Sequence, residues 1–263
     1  MIFSFSRLSL YESCPYRFYK KYVLGHKEPT TLPLALGKAV HKAIENKING
    51  IKHSEAILNG LIEADFHKEV TAEDVSFLTE RANVQPGMGK TEIYFKLPLE
   101  SSENAPLLQG YIDVVANKGK AIMDWKTNRV PFHVLDTHQA GLYAWAMGEL
   151  YNTSYVVGTL YFLRFKKRSS HCFTPFDMDN ARLWALKGLQ RRLMNAWNCM
   201  GCCQKRQRKN LPSISGKPLQ ALPVRKGMFA RICCNLMLDE QFLSKIACIL
   251  FINLLHFMCI INQ

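Results

Sequence analysis

The stretch LLQGYIDVVANKGKAIMDWKTNR, from Leu107 to Arg129, decides the fold and carries the main chemical signal. GYIDVV alternates apolar and polar side chains as a half-buried strand does, KAIMDWK does so again, and an Asn-Lys-Gly turn separates them. The pattern predicts a β-hairpin that sets Asp113 and Asp124 side by side. Lys126 follows Asp124 by two residues, so both side chains leave the strand on the same face.

Two carboxylates and one ammonium at one point suit a divalent-metal phosphodiesterase. Carboxylate oxygens bind Mg²⁺ and Mn²⁺ well, and a lysine can hold a nucleophilic water or stabilise the charge that builds on a phosphate. The alternative is that Asp113 and Asp124 are solvated strand charges and that Lys126 pairs with one of them, because Asp-x-Lys triplets are common on exposed strands. Spacing alone does not decide between these interpretations.

Composition allows a nucleic-acid partner without establishing one. The chain has 263 residues, 48% of them hydrophobic, which is enough for one large domain or a domain with an appendage. Its N-terminus lacks the apolar core and cleavage site of a signal peptide, which predicts a cytoplasmic protein. The net charge of +13 suits a polyanion, but residues 199–263 alone hold nine Lys and Arg against two acids, so the rest is only mildly basic.

Several helices are predicted ahead of the hairpin. Near the N-terminus, Ser6 is a plausible helix cap and Pro15 a break or a second start. LALGKAVHKAIENKING has the apolar spacing of a helix, with His41 beside the apolar stripe. A lone histidine there is more often a packed residue than a ligand. Residues 51–85 read as two further helices with no chemistry of their own.

The segments around the hairpin add three candidate residues. TEIYFKLPLE is a clear strand, and Glu92 at its start is either an ordinary edge carboxylate or a residue with a functional role. After Thr127, apolar spacing predicts a helix from about His133, in which Gln139 and Tyr143 lie one turn apart and share a face. In an ordinary helix this pair would pack and make a surface hydrogen bond. TSYVVGTLYFLRF then predicts a strand that closes the sheet, KKRSS a basic turn, and Asp179 to Trp197 a helix.

GYID followed by IMDWKT resembles the RecB-like branch of the PD-(D/E)XK nuclease superfamily, in which a Gly-x-x-Asp strand precedes an Asp-x-Lys-Thr strand. G-x-x-x-H, ending at His41, and Q-x-x-x-Y, ending at Tyr143, stand in the family's order within about 100 residues. The N-terminal segment also resembles the start of RecB-like exonucleases, including AddB-type and CRISPR-associated ones. The resemblance covers roughly residues 3–197.

The resemblance implies an α/β fold with a restriction-endonuclease-like core, a mixed central sheet flanked by α-helices and a helical insert before the sheet. It places this nuclease domain in residues 1–198. It further implies a metal-dependent DNA nuclease, an exonuclease or single-strand nuclease of DNA repair, recombination or CRISPR adaptation, with helicase or other nuclease-complex subunits as partners. The alternative is a cleavage-deficient nucleic-acid-binding subunit of such a complex.

Residue roles follow from the same resemblance. Asp113, Asp124 and Lys126 would be the catalytic residues, and Lys126 would position the attacking water. The Mg²⁺ or Mn²⁺ ligands would be His41, Asp113, Asp124 and the backbone carbonyl of Trp125. Glu92, Gln139 and Tyr143 would form a secondary set near the metal, the lysine and the DNA.

The region 199–263 departs from the family and is predicted to be a basic, cysteine-rich tail. Iron-sulfur relatives hold a [4Fe-4S] cluster with an N-terminal cysteine and a C-terminal group, for which this chain offers Cys14, Cys199, Cys202 and Cys203, although the surrounding sequence differs. Cys14 could equally be a small buried hydrophobe. The apolar segment from Ile246 to Ile261 is short of the ~20 residues that span a bilayer, so a buried helix is expected and a membrane anchor is not. A change of reading frame would also produce such a tail.

Overall fold

The computed structural model describes residues 2–189, which form a mixed β-sheet flanked by helices and so confirm the predicted fold class. The strands are β1 (Ile2–Phe3), β2 (Lys90–Pro98), β3 (Leu107–Ala116), β4 (Ala121–Lys126), β5 (Val156–Phe162) and β6 (Lys167–Phe173). The helices are α1 (Phe5–Ser13), α2 (Pro15–Tyr22), α3 (Leu32–Ile48), α4 (His53–Glu63), α5 (Ala72–Glu80), α6 (Gln139–Tyr151) and α7, which begins at residue 175. Short 3-10 turns follow β3 (Asn117–Gly119) and β5 (Leu163–Phe165).

Strand β3 is the hub of the sheet, because it has β2 along one edge and two different strands along the other. On that second edge, β1 pairs in parallel with its start (Ile2 opposite Leu107), and β4 pairs antiparallel with its end (Val114 opposite Met123). In the described part of the chain no strand pairs with residues 109–113 on this edge. The edge therefore opens beside Asp113. The predicted hairpin is confirmed, with the 3-10 turn at its tip.

Helices α3, α4 and α5 form a layer that packs on the sheet. This packing places α3 over the end of β4. The shared core consists of buried apolar side chains from the helices and from β3, β4 and the turn after β5. Its members include Val40, Ile44, Ile48, Ile57, Val75, Leu78, Val114, Trp125 and Leu163. Burying each large side chain is worth about 1.5–3 kcal/mol, so this contact holds α3 firmly. His41 on α3 is thereby held near Asp113.

Two details at the N-terminus concern helix ends. The cap of α1 is Ser4 and not Ser6: Ser4 is extended, and its hydroxyl accepts from the backbone N–H of Arg7 at 3.4 Å. Ser6 lies inside the first turn, where its hydroxyl is too far along the chain to cap the helix. The break at Pro15 is confirmed, since it is the first residue of α2.

The segment after the hairpin differs from the prediction in three places. Helix α6 begins at Gln139 and not near His133, because the Asp136 carboxylate accepts from the His133 N–H at 2.6 Å and closes a turn there. In KKRSS only Lys166 is in a turn, and residues 167–170 belong to β6. This is an edge strand whose polar outward face conceals the strand pattern; Ser170 and Thr159 of β5 share a hydrogen bond of 2.9 Å. Helix α7 begins at residue 175, earlier than predicted.

The C-terminal predictions lie outside the described residues. The domain boundary at residue 198, the tail 199–263 and its apolar segment are among them and stay predictions. None of the helices within residues 2–189 combines the length and the apolar character that crossing a bilayer requires.

Candidate active site

Asp113 is held by contacts from two other elements. Its Oδ2 accepts a hydrogen bond from the backbone N–H of Trp125 on β4 at 3.1 Å and lies 3.1 Å from Nδ1 of His41 on α3. Within residues 2–189 neither contact uses Oδ1. The residues of the Gly-x-x-x-His and Gly-x-x-Asp motifs are therefore brought together, and one oxygen of Asp113 is left for another partner.

Lys126 stands at the end of β4 between an acid and an amide. Its Nζ contacts Oδ2 of Asp124 and donates to Oε1 of Gln139 at 3.0 Å. The amide of Gln139 in turn donates from Nε2 to the hydroxyl of Tyr143 at 3.2 Å. Because an ammonium has only donors, the amide oxygen of Gln139 must face it, which fixes the orientation of the amide. The Q-x-x-x-Y pair thus lies directly behind the lysine.

Gly110 explains why the Gly-x-x-Asp motif begins with glycine. A Cβ at this position would lie 2.8 Å from the ring of Phe95 and 3.1 Å from the ring of Tyr143. Those rings pack edge to face, with centroids 5.8 Å apart. Their approach to β3 sets the position of Tyr143 and, through it, of Gln139. Gly37 differs, since a Cβ there would meet only Thr127 Oγ1 at 3.8 Å.

A cleft of about 650 Å³ opens beside Asp113 and is lined mostly by α3. Its lining residues are Pro33, Leu34, Gly37, Lys38, His41, Lys42, Glu45, Glu63, Glu92 and Asp113. Lys38, Lys42 and Glu45 belong to no motif. Their spacing of four and three residues, with His41 between them, nevertheless marks one helix face and would have identified them. Lys42 donates to Glu45 at 2.9 Å.

Burial and mutual repulsion raise the pKa values of two acids of the site. Burial, followed by the charge of Asp113, raises the pKa of Asp124 in spite of Lys126. Burial likewise raises the pKa of Glu92 to about 6, and the charges of Asp113 and Glu45 add to the effect. Because these acids are costly to ionise where they lie, a further cation beside them would favour their ionised forms.

His41 and Asp113 shift in opposite directions because they pair. Burial alone would lower the pKa of His41, but the charge and hydrogen bond of Asp113, with the charge of Asp124, outweigh it and raise the pKa to about 9. Burial works against Asp113 as an anion, yet His41, the Trp125 N–H and Lys126 together lower its pKa. In this state His41 is an imidazolium that donates to an ionised Asp113.

Glu92 reaches the cleft from a distorted stretch of β2. Its φ is 49°, in the left-handed region, and it falls where Thr91 pairs with Val114 and Ile93 with Ile112. A non-glycine residue in this conformation costs about 1–3 kcal/mol. The strand pattern predicted an ordinary strand residue here, because the distortion leaves no mark on apolar alternation.

The donor set suits Mg²⁺ or Mn²⁺, since both prefer oxygen ligands and the cleft gathers the carboxylates of Glu45, Glu63, Glu92 and Asp113. As the side chains stand, no three histidine, cysteine or acidic groups within residues 2–189 lie close enough to enclose an ion. Lys126 and His41 neutralise the two aspartates instead. For the predicted iron-sulfur site, Cys14 is a half-buried free thiol between α1 and α2, and the other three cysteines lie outside the described residues.

One protein-family model matches most of the chain. Residues 2–208 match the family model described as the PD-(D/E)XK nuclease superfamily. Among solved structures, the chain is similar to SSO0001, with 14% identity, a TM-score of 0.34, and coverage of 70% of this chain and 88% of the other. It is also similar to Rai1 of Scheffersomyces stipitis, with 13% identity, a TM-score of 0.23, and coverage of 74% and 68%. No curated protein matches the sequence.

Proposed function

Because the chain belongs to the PD-(D/E)XK nuclease superfamily, we propose that it is a divalent-metal-dependent DNA nuclease of the RecB-like branch, and that Asp113, Asp124 and Lys126 carry out the hydrolysis. The observation that supports this most strongly is the position of Lys126, whose ammonium is held between Asp124 and Gln139. A solvated strand lysine would be exposed, whereas the side chain of Lys126 is only 16% exposed.

Mg²⁺ or Mn²⁺ would be held by Asp113, Asp124 and the backbone carbonyl of Trp125, with His41 assisting. The Trp125 N–H faces Asp113, and the N–H and C=O of one strand residue point to the same side, so the carbonyl faces the site as well. When bound, such an ion polarises the phosphate and acidifies a water ligand.

Lys126 is suited to hold the attacking water. An ammonium has three N–H donors, and Asp124 and Gln139 take two of them. The third is available to a water or to a phosphate oxygen. If Asp124 turns to a cation, Gln139 still holds Nζ in place, with Tyr143 fixing the amide from behind.

His41 orients Asp113. As an imidazolium it donates from Nδ1 to Oδ2 of Asp113, which also accepts from the Trp125 N–H. Two donors on one oxygen fix the carboxylate plane and direct Oδ1 elsewhere. Glu92 also lines the cleft, and because burial raises its pKa to about 6, it adds negative charge there as the pH rises.

We further propose that the enzyme is an exonuclease or single-strand nuclease that serves DNA repair, recombination or CRISPR adaptation, with helicase or nuclease subunits as partners. The order of four motifs along 37–143 supports this branch. One observation favours a second candidate, a cleavage-deficient DNA-binding subunit: Lys126 and His41 already neutralise both aspartates. A [4Fe-4S] cluster involving Cys14 stays a prediction.

Cleavage of end-labelled single- and double-stranded DNA by the purified full chain tests the proposal. We expect loss of label with Mg²⁺ or Mn²⁺ and none with EDTA. Binding measured in parallel by gel shift separates the two candidates. A folded protein that binds DNA but leaves it intact with both metals would support the binding subunit and contradict the nuclease.

A further inference from the structure

We propose that Tyr94 and Tyr111 form a stacking platform for the bases of single-stranded DNA beside the cleft. The inference rests on the proposed nuclease function and names the form of its substrate. Neither tyrosine occupies a defined position of the motifs, and neither lines the cleft.

The two tyrosines form an exposed, ordered pair on the β2–β3 ribbon. They are cross-strand partners, with ring centroids 5.0 Å apart and planes tilted by 44°. Tyr94 is 47% exposed and Tyr111 57%. The hydroxyl of Tyr94 donates to Oε1 of Gln109 at 3.1 Å, which holds its ring in place. A base would therefore meet a preformed aromatic surface.

The pair lies one strand repeat from the acids of the cleft. Tyr111 precedes Asp113 by two residues, and Tyr94 follows Glu92 by two, a distance of roughly 7 Å at the usual rise of a strand. The next residues in register, Phe95 and Gly110, face Tyr143 of α6. Since side chains alternate, Tyr94 and Tyr111 point away from α6. Their side chains therefore project from the uncovered face of the β2–β3 ribbon, next to the cleft.

Two exposed lysines, one beside the pair and one in the neighbouring cleft, can contact a phosphate backbone. Lys96 follows Tyr94 by two residues and is exposed, and Lys38 lines the cleft on α3. In the described part of the chain neither lysine forms an ion pair. Exposed aromatic rings together with lysines that are free to contact phosphates are the combination with which proteins bind single strands without sequence preference. Duplex DNA does not fit as well, because its stacked bases present no free faces.

The test uses a single-stranded oligonucleotide that carries 2-aminopurine, bound to the full chain in EDTA. We expect binding to change the probe's fluorescence through stacking. Replacing both tyrosines with leucine (Tyr94→Leu with Tyr111→Leu) should weaken single-strand affinity by about 5- to 100-fold, from the usual worth of base–aromatic stacking. Replacing both with phenylalanine, which keeps the rings, should retain most of the affinity, and blunt duplex affinity should hardly change.

Equal single-strand affinity for the wild type and the leucine variant would overturn the platform and leave only a cross-strand pair that stabilises the ribbon. An equal loss on single strands and duplex would also contradict it. Should the leucine variant fail to fold, photocrosslinking of iodouracil-labelled single strands to the wild type decides: crosslinks must map to Tyr94 or Tyr111. Cleavage by the wild type is measured separately. Loss of cleavage alone then speaks against the nuclease function, and loss of stacking alone speaks against the platform.

Discussion

Alanine at Gly110 should destabilise the protein, whereas alanine at Gly37 should stabilise it. At Gly110 the new methyl would lie 2.8 Å from Phe95, which is only 2% exposed and cannot move aside, and 3.1 Å from Tyr143. Overpacking of this kind costs about 1–3 kcal/mol, and relief of glycine's backbone entropy returns about 0.5–1 kcal/mol. These ranges combine to a net loss of about 0–2.5 kcal/mol in the free energy of unfolding, and the 2.8 Å approach to a buried ring puts Gly110→Ala in the upper part of that range.

Gly37 is the matched control, because it is also a motif glycine but has room. A methyl group added at Gly37 would have Thr127 Oγ1, at 3.8 Å, as its nearest neighbour. Gly37→Ala inside α3 should therefore raise the free energy of unfolding by about 0.5–1 kcal/mol. Urea unfolding followed by circular dichroism measures both variants. The opposite signs are the prediction, and a Gly110→Ala protein as stable as the wild type would refute the packing argument that places Tyr143.

Three further predictions concern the site. Gln139→Leu removes the acceptor of the lysine ammonium, a charge-assisted bond worth about 1.5–3 kcal/mol, so the cleavage rate should fall about 10- to 100-fold. Tyr143→Phe keeps the ring and should lower the rate less than 10-fold. Equal losses of rate in the two variants would contradict the direct role of Gln139 and the indirect role of Tyr143. Glu92→Gly should be more stable to urea than Glu92→Ala, the reverse of the usual strand preference, because φ at this position is 49°; a more stable alanine variant would show that no strain is present. In EDTA, the raised pKa of His41 contributes stability that is complete below pH 6.5 and is lost as the pH rises through about 9. The free energy of unfolding should therefore fall by at most about 3 kcal/mol over this range, and His41→Gln should flatten the profile.

The sequence predicts the hairpin and its acids because the physics there is local. Alternation fixes the faces of Asp113, Asp124 and Lys126, and a tight turn between the two strands fixes their register. The helix with Gln139 and Tyr143 follows directly along the chain, so its place behind the lysine is also largely determined. The resemblance supplied what local patterns could not, the placing of His41 beside Asp113 across a gap of 72 residues.

The features that escaped prediction depend on tertiary context. β6 is an edge strand with a polar outer face, so apolar alternation does not reveal it. The late start of α6 follows from a carboxylate that closes a turn at His133. The exposure of Tyr94 and Tyr111 reflects which face of the ribbon the helices leave uncovered, and tyrosines in strands are usually half-buried. The spacing of residues in the sequence does not distinguish an exposed tyrosine pair from a half-buried one.

The measurement that tests the central claim most directly is single-turnover cleavage of DNA in Mg²⁺ by the wild type, Asp124→Asn and a control, Asp179→Asn. Asp124 is buried beside Lys126, whereas Asp179 pairs with Arg182 at the surface, so the two substitutions make the same chemical change at different places. We expect wild-type and control rates to agree within about 3-fold and the Asp124 variant to lose at least about 100-fold while it stays folded. Cleavage by a folded Asp124→Asn protein at the wild-type rate would contradict the assignment of this site.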